Sequence, residues 1–256
     1  MNDFTRLSYI LILSFLIIES CKSQNKDPKT QKTEQEQIKK VREYNPKDKK
    51  ILSAYIDTIA LDRFKKEIYK FEKEDSLQPN RIIDIVFVGS SSIRKWENLE
   101  KDMKGLRVLN RGFGGSTVPE AIFYSDILIL KHKPKKIVIY SGDNDVSTLN
   151  SSTKKTIDSY KYLYNLLNSE LPNTKIFILS IKPSPARWAF WSQMQEVNNL
   201  LKEFCDSKGN CNYIDISSSM IDSTGNLKDE LFLKDRIHLN EKGYKLWADI
   251  IYDAIK

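Results

Sequence analysis

Short apolar runs alternating with stretches of helical periodicity constrain this chain more than any other feature. Strands are expected at Ile83–Val88, Val108–Asn110, "KIVIYSG" ending at Gly142, "KIFILSI" and "NYIDIS". Between them lie helical patterns: Leu61, Phe64, Ile68 and Phe71; about Val118 to Leu130; Ile157, Tyr160, Tyr164 and Leu167; Met194, Val197, Leu201 and Phe204, stopping near Gly209. A last helix carries Trp247, Ile250, Ile251 and Ala254. The strongest strand runs are apolar throughout instead of alternating, the mark of strands covered on both faces. Strands taking turns with helices predict a parallel sheet between two helical layers, a three-layer α/β/α sandwich. Ligands of such sheets bind beyond the carboxyl ends of the strands.

Four polar clusters fall at or near those ends: "GSSS" after the first strand, "NRGFGGST" after the second, "GDND" after the third and "DRIH" before the last helix. Three adjacent serines contribute nothing to a core and are poor strand formers, which invites a chemical reading. A serine nucleophile needs a base, most often histidine, and the chain has only two histidines. His132 lies in "KHKPKK", a basic run that reads as solvated surface. His238 follows Asp235 by three residues, a spacing at which a carboxylate can orient an imidazole. So few histidines disfavour a multi-histidine zinc site, and neither a metal nor another cofactor is expected. The glycines of "GFGGST" let backbone N–H groups approach a developing oxyanion, and Asn144 offers an amide for the same purpose.

In order, Ser91, Gly115, Asn144 and His238 resemble the four sequence blocks of the SGNH hydrolases, also called GDSL esterases. The resemblance runs from about Asp84 to the C-terminus. It implies a flavodoxin-like α/β/α fold and a serine esterase or acylhydrolase. Ser91 would be the nucleophile, His238 the base and Asp235 its orienting carboxylate. The oxyanion hole would be built from the amides of Ser91 and Gly115 and the side chain of Asn144. One departure is evident: the family's Gly-Asp-Ser reads Gly89-Ser90-Ser91 here. Ser90 and Ser92 are the competing nucleophiles, and alignment on Gly89 favours Ser91.

The run "SIKPSPARWAFW" follows the fourth strand, and its prolines predict a rigid loop at the functional edge of the sheet. Arg187, Trp188 and Trp191 either line a substrate pocket or, for the tryptophans, pack in the core.

The N-terminal part differs in composition from the rest. Arg6 precedes an apolar run from Leu7 to Ile18, a layout that suits a secretory h-region and is short for a transmembrane helix. "LIIESC" resembles a bacterial lipobox with Cys21 as the lipidated residue; an ordinary signal peptide or an uncleaved anchor are the other readings. Residues 21–49 are nearly devoid of apolar side chains and cannot fold alone. As flexible coil they would span roughly 30 Å. The expected organisation is a signal peptide at 1–20, a polar tether at 21–49 and a hydrolase domain at 50–256, exported and held at the membrane by a lipid. Cys205 and Cys211 then form an even pair, disulfide-bonded or free. The formal charge of +7 would favour acidic surfaces. No nucleic-acid motif accompanies it, so the expected partners are a membrane and a lipid, glycan or small ester substrate, with the chain a monomer. The alternative function is a glycan- or lipid-binding lipoprotein that keeps the fold without catalysis. "GFGG" lacks dinucleotide-binding spacing, and "GSSSI" lacks the second glycine of a nucleophile elbow.

Overall fold

The computed structural model describes residues 63–256. The expected signal peptide, Cys21, the tether and Leu61 lie outside the described residues. Five strands form one parallel sheet: β1 (Ile85–Gly89), β2 (Val108–Gly112), β3 (Lys136–Tyr140), β4 (Lys175–Leu179) and β5 (Cys211–Ile214). They lie in the order β2-β1-β3-β4-β5. The register is unbroken, with Ile85 opposite both Val108 and Lys136 and Gly89 opposite both Gly112 and Tyr140. The order changes direction beside β1, so the loops after β1, β2 and β3 open around one crevice, the usual ligand position in such sheets.

Side chains alternate between the two faces. On one face Phe87, Val138, Tyr140, Phe177 and Leu179 pack with Trp247, Ile251 and Ile255 of the last helix, α9 (Glu241–Ile255). Ile93 of α2 (Ser91–Arg94) and Leu99 of α3 (Leu99–Asp102) complete that layer. The alternate residues Val86, Val88, Ile137, Ile139, Ile176 and Ile178 are equally buried. The helices outside the first layer are α1 (Lys65–Leu77), α4 (Val118–Phe123), α5 (Ser125–Leu128), α7 (Thr153–Glu170) and α8 (Trp191–Asp206). Among them α7 packs on α4 and α8, and α1 on α5. The three-layer architecture expected from the alternation is the one observed.

Local differences have physical causes. The single helix expected from Val118 to Leu130 is broken at Tyr124 and again at Ile129, and a one-turn 3-10 helix at Leu130–His132 ends in left-handed Lys133 ahead of Pro134. Pro134 fixes its predecessor outside the α region. The loop after β4 contains a 3-10 turn, Pro185–Phe190, leading into α8. Cys205 and Cys211 form a disulfide across the turn between α8 and β5.

His132 is not the solvated residue its basic neighbours suggest. Its side chain is only 8% exposed, with Nε2 3.7 Å from the Asp75 carboxylate of α1. Burial pushes its pKa down to about 4, Asp75 opposing and Arg111 and Lys131 reinforcing the shift. The fold of α1 over this run, which the local sequence does not announce, buries it.

Candidate active site

The site begins at the end of β1. Gly89 has φ of +150°, and a Cβ there would lie 1.8 Å from the Tyr140 carbonyl oxygen of β3. Only glycine lets the chain leave the sheet at that angle. Ser90 is wholly buried and Ser92 nearly so. Between them Ser91 opens α2 and is partly exposed. The triple serine therefore resolves sterically: one hydroxyl faces the crevice and its neighbours face the interior.

Ser91 Oγ lies 2.9 Å from His238 Nε2, and His238 Nδ1 lies 2.6 Å from Asp235 Oδ2. An ionised carboxylate only accepts, so Nδ1 carries the proton and Nε2 is left to accept from the serine hydroxyl. Asp235 is held by its own loop. Its Oδ1 accepts from the amides of Ile237 at 3.0 Å and His238 at 2.9 Å. Desolvation works against its ionisation, but the bonds from the His238 ring and these two amides outweigh it and hold the pKa well below the ordinary carboxylate range. The loop is pinned at both ends by Leu233 N–H donating to the His238 carbonyl at 2.8 Å and by the Phe232–Leu239 bridge.

The candidate donors come from the segments that follow β1, β2 and β3. Gly115 sits at φ of +82°, a conformation glycine adopts without strain. No backbone carbonyl among the described residues accepts from the amides of Ser91 or Gly115. Asn144 is the second residue of a short helix, α6 (Asp143–Ser147), and its Nδ2 donates to the Ser116 carbonyl at 2.9 Å. The loop carrying Gly115 and the helix carrying Asn144 are joined a second time: Asp145 accepts from the Val118 amide at 3.1 and 3.3 Å. Burial pushes the Asp145 carboxyl up to about 7, with the Val118 bond opposing. The loop is also braced from α1's side by Arg63, which donates to the Gly115 carbonyl at 3.0 Å and pairs with Glu120.

Arg187, expected in a substrate pocket, is placed with its guanidinium on Asp143 Oδ2 and Asn144 Oδ1, both at 2.9 Å. The adjacent Trp188 is 43% exposed and stacks on Trp191 with ring centroids 6.2 Å apart, so it is not a core residue. Lys182 was not singled out from the sequence. It is 1% exposed, donates to the Ile237 carbonyl at 2.9 Å and has Nζ 3.9 Å from Asp143 Oδ2. Its only signal was position, one residue past the apolar run after β4. Among the described residues no group of three His, Cys, Asp or Glu side chains is placed to hold a metal ion.

The arrangement is a hydroxyl hydrogen-bonded to an oriented base, with candidate N–H donors on the neighbouring segments at the carboxyl edge of the sheet, the set of groups that acyl transfer calls for. A family model described as the GDSL-like Lipase/Acylhydrolase family matches residues 87–246, which include every residue of this arrangement. Among solved structures, the chain is similar to a Streptococcus pneumonia protein provisionally assigned as a platelet activating factor (18% identity, TM-score 0.68, 83% of this chain and 100% of that one). It is also similar to a GDSL-like lipase from Bacteroides thetaiotaomicron (19%, 0.61, 73% and 96%). A third is a carbohydrate esterase family 3 protein from Talaromyces cellulolyticus (16%, 0.57, 68% and 96%). At these identities the likeness is one of fold. Comparison with curated protein sequences finds no match.

Proposed function

Since the chain belongs to the GDSL-like lipase/acylhydrolase family, a family of ester hydrolases, we propose that it is a serine esterase working through an acyl-enzyme on Ser91. The observation that carries this reading is the unbroken hydrogen-bonded row Asp235–His238–Ser91.

In this reading Ser91 Oγ attacks the ester carbonyl while its proton passes to His238 Nε2. The carbonyl oxygen becomes an oxyanion received by the amides of Ser91 and Gly115 and by Asn144 Nδ2. The tetrahedral intermediate collapses, and the departing alkoxide takes the proton from His238. Water then attacks the acyl-serine by the same proton route in reverse, freeing the acid and restoring the hydroxyl. Asp235, kept ionised, stabilises the imidazolium at both steps. Ser90 replaces the family's aspartate, and its Oγ is buried without a partner among the described residues. Support for the turn comes instead from backbone: the Ser90 amide donates to Tyr140 at 3.1 Å and its carbonyl accepts from Ile93 and Arg94.

The substrate classes are acylated carbohydrate, lysophospholipid or another small acyl ester. The exposure of Trp188, which follows Arg187 directly in the chain, supports contact with the substrate. We also propose that the chain is exported and anchored through lipidated Cys21, on the lipobox-like "LIIESC". The competing function, a glycan- or lipid-binding lipoprotein without catalysis, is disfavoured by the hydrogen-bonded triad, which a binding protein has no need to keep.

A screen of acetyl, butyryl and long-chain esters, with Ser91→Ala as control, tests the esterase reading. Turnover of at least one ester, lost in Ser91→Ala, is expected. Hydrolysis of none, together with saturable binding of a glycan or lipid, would favour the binding protein.

A further inference from the structure

An asparagine serving an oxyanion hole has a specific difficulty. Its side chain is nearly symmetric in shape, so the amide can sit either way round, and only one way presents N–H to the ligand. The buried bond from Nδ2 to the Ser116 carbonyl favours the productive orientation, but a single neutral hydrogen bond is a modest constraint.

We infer that Arg187 is a positioning residue that locks the Asn144 amide with its N–H face toward the oxyanion. This rests on the acyl-transfer reading above. The guanidinium has two partners, Asp143 Oδ2 and Asn144 Oδ1, each at 2.9 Å. With Oδ1 accepting from Arg187 and one Nδ2 hydrogen on Ser116 O, the second Nδ2 hydrogen is left for substrate. A flipped amide would set its NH2 against the guanidinium, donor facing donor, and its oxygen against the Ser116 carbonyl. Both contacts would become repulsive at once. The cation also polarises the amide it binds, making the remaining N–H a stronger donor.

The surroundings hold Arg187 in place. Pro183 and Pro185 stiffen its loop. The Ala186 amide donates to the Arg236 carbonyl at 3.0 Å, stitching that loop to the one bearing Asp235 and His238. Asp143 sits between two cations, because buried Lys182 lies 3.9 Å from the same Oδ2 and also holds the Ile237 carbonyl next to His238. Asp143 thereby lies between the oxyanion donor and the loop of the base. Burial lowers the Lys182 pKa to about 8 against the opposing pull of Asp143. With Lys182 protonated, Asp143 has a cation on each side, which fixes the carboxylate that in turn holds Arg187.

The alternative role for Arg187 is direct substrate binding, and a double-mutant cycle separates the two. Arg187→Met, Asn144→Ala and the double variant are compared with the parent on one ester, kcat and KM being read separately. Removing one oxyanion donor costs about 100- to 1,000-fold in enzymes of this chemistry, so losing its orientation should cost roughly 10- to 100-fold in kcat with KM within about 2-fold. In the Asn144→Ala background the same change should cost less than about 3-fold. A raised KM that persists in that background, or an undiminished kcat in Arg187→Met, would overturn the inference. Arg187→Lys keeps the charge but lacks the two-pronged fork. It carries the same comparison if the methionine variant fails to fold, with a smaller loss of kcat that again vanishes in Asn144→Ala. Ser91→Ala run alongside keeps the two claims apart. If it retains turnover, the acyl-enzyme reading fails; if it is inactive and Arg187→Met matches the parent, only the role of Arg187 fails.

Discussion

Ser91 and His238 are 147 positions apart in the chain, yet Ser91 Oγ lies 2.9 Å from His238 Nε2. Two unrelated local devices produce that meeting. The tight exit from β1 at Gly89 presents the serine, and the Asp235 carboxylate, bonded to the His238 amide and ring together, presents the imidazole.

Asp235→Asn tests the second device. An asparagine in place of the carboxylate can no longer stabilise the imidazolium, and it loses the preference for the Nδ1–H tautomer. The equivalent change in serine proteases costs about 10,000-fold in kcat, and a loss of at least 100-fold is expected here, measured as kcat at neutral pH. Asp235, whose pKa is held low, is ionised at that pH, so the comparison reads the carboxylate against its neutral isostere. A loss below about 3-fold would count against Asp235 as the partner of the base.

Gly89→Ala tests the first. The added methyl would have to share space with the Tyr140 carbonyl of the neighbouring strand. The variant should lose about 3 kcal/mol or more of stability in denaturant unfolding. A loss below about 1 kcal/mol would mean that the turn can reopen without disturbing the sheet.

How much of this was legible in the sequence follows from the range of the interactions involved. Strand runs such as "IVFVG" and "KIVIY" carry their burial in their own composition, and polar residues placed directly after them mark the functional edge once a parallel sheet is recognised. The clusters that hold Ser91, Gly115, Asn144 and His238 could therefore be singled out before any coordinates, and the resemblance to the SGNH hydrolases picked Ser91 and Gly115 within them. Arg187 was visible as an oddity, but its partners Asp143 and Asn144 are more than forty positions away, and nothing local distinguishes a clamp on an amide from a ligand for substrate. Lys182 looked like any lysine because its burial depends on the loop at Ile237 closing over it. His132 was misjudged for the same reason: its neighbours are basic and solvated, while the element that covers it, α1, is fifty-odd residues earlier. The break at Tyr124 escaped because apolar spacing continues across it while the backbone does not.

The burial of His132 has a consequence for acid stability. Its folded pKa of about 4 lies below the ordinary 6.5, so the unfolded chain binds the proton more readily between those values. Stability present above about pH 6.5 is lost as the pH falls toward 4. Asp145, raised to about 7, acts in the opposite direction over that range, so the informative comparison is between two chains that both retain it. Urea unfolding of the parent and of His132→Gln across this window should show a steeper acid loss in the parent. Parallel curves would mean that His132 is as accessible to protons folded as unfolded.

The proposed lipid anchor is tested by location. The parent should partition into detergent and Cys21→Ala into the soluble fraction. A variant still held at the membrane would point to an uncleaved apolar segment or to adhesion by the basic surface.

The most direct test of the acyl-enzyme is to find it. The parent is quenched by acid during turnover of an activated acetyl ester, digested and analysed by peptide mass spectrometry. The account predicts one acetyl group on the peptide spanning Ser90–Ser92, localised by fragmentation to Ser91, and none in Ser91→Ala. Acetyl on Ser90 or Ser92, or undiminished hydrolysis by Ser91→Ala, would contradict it.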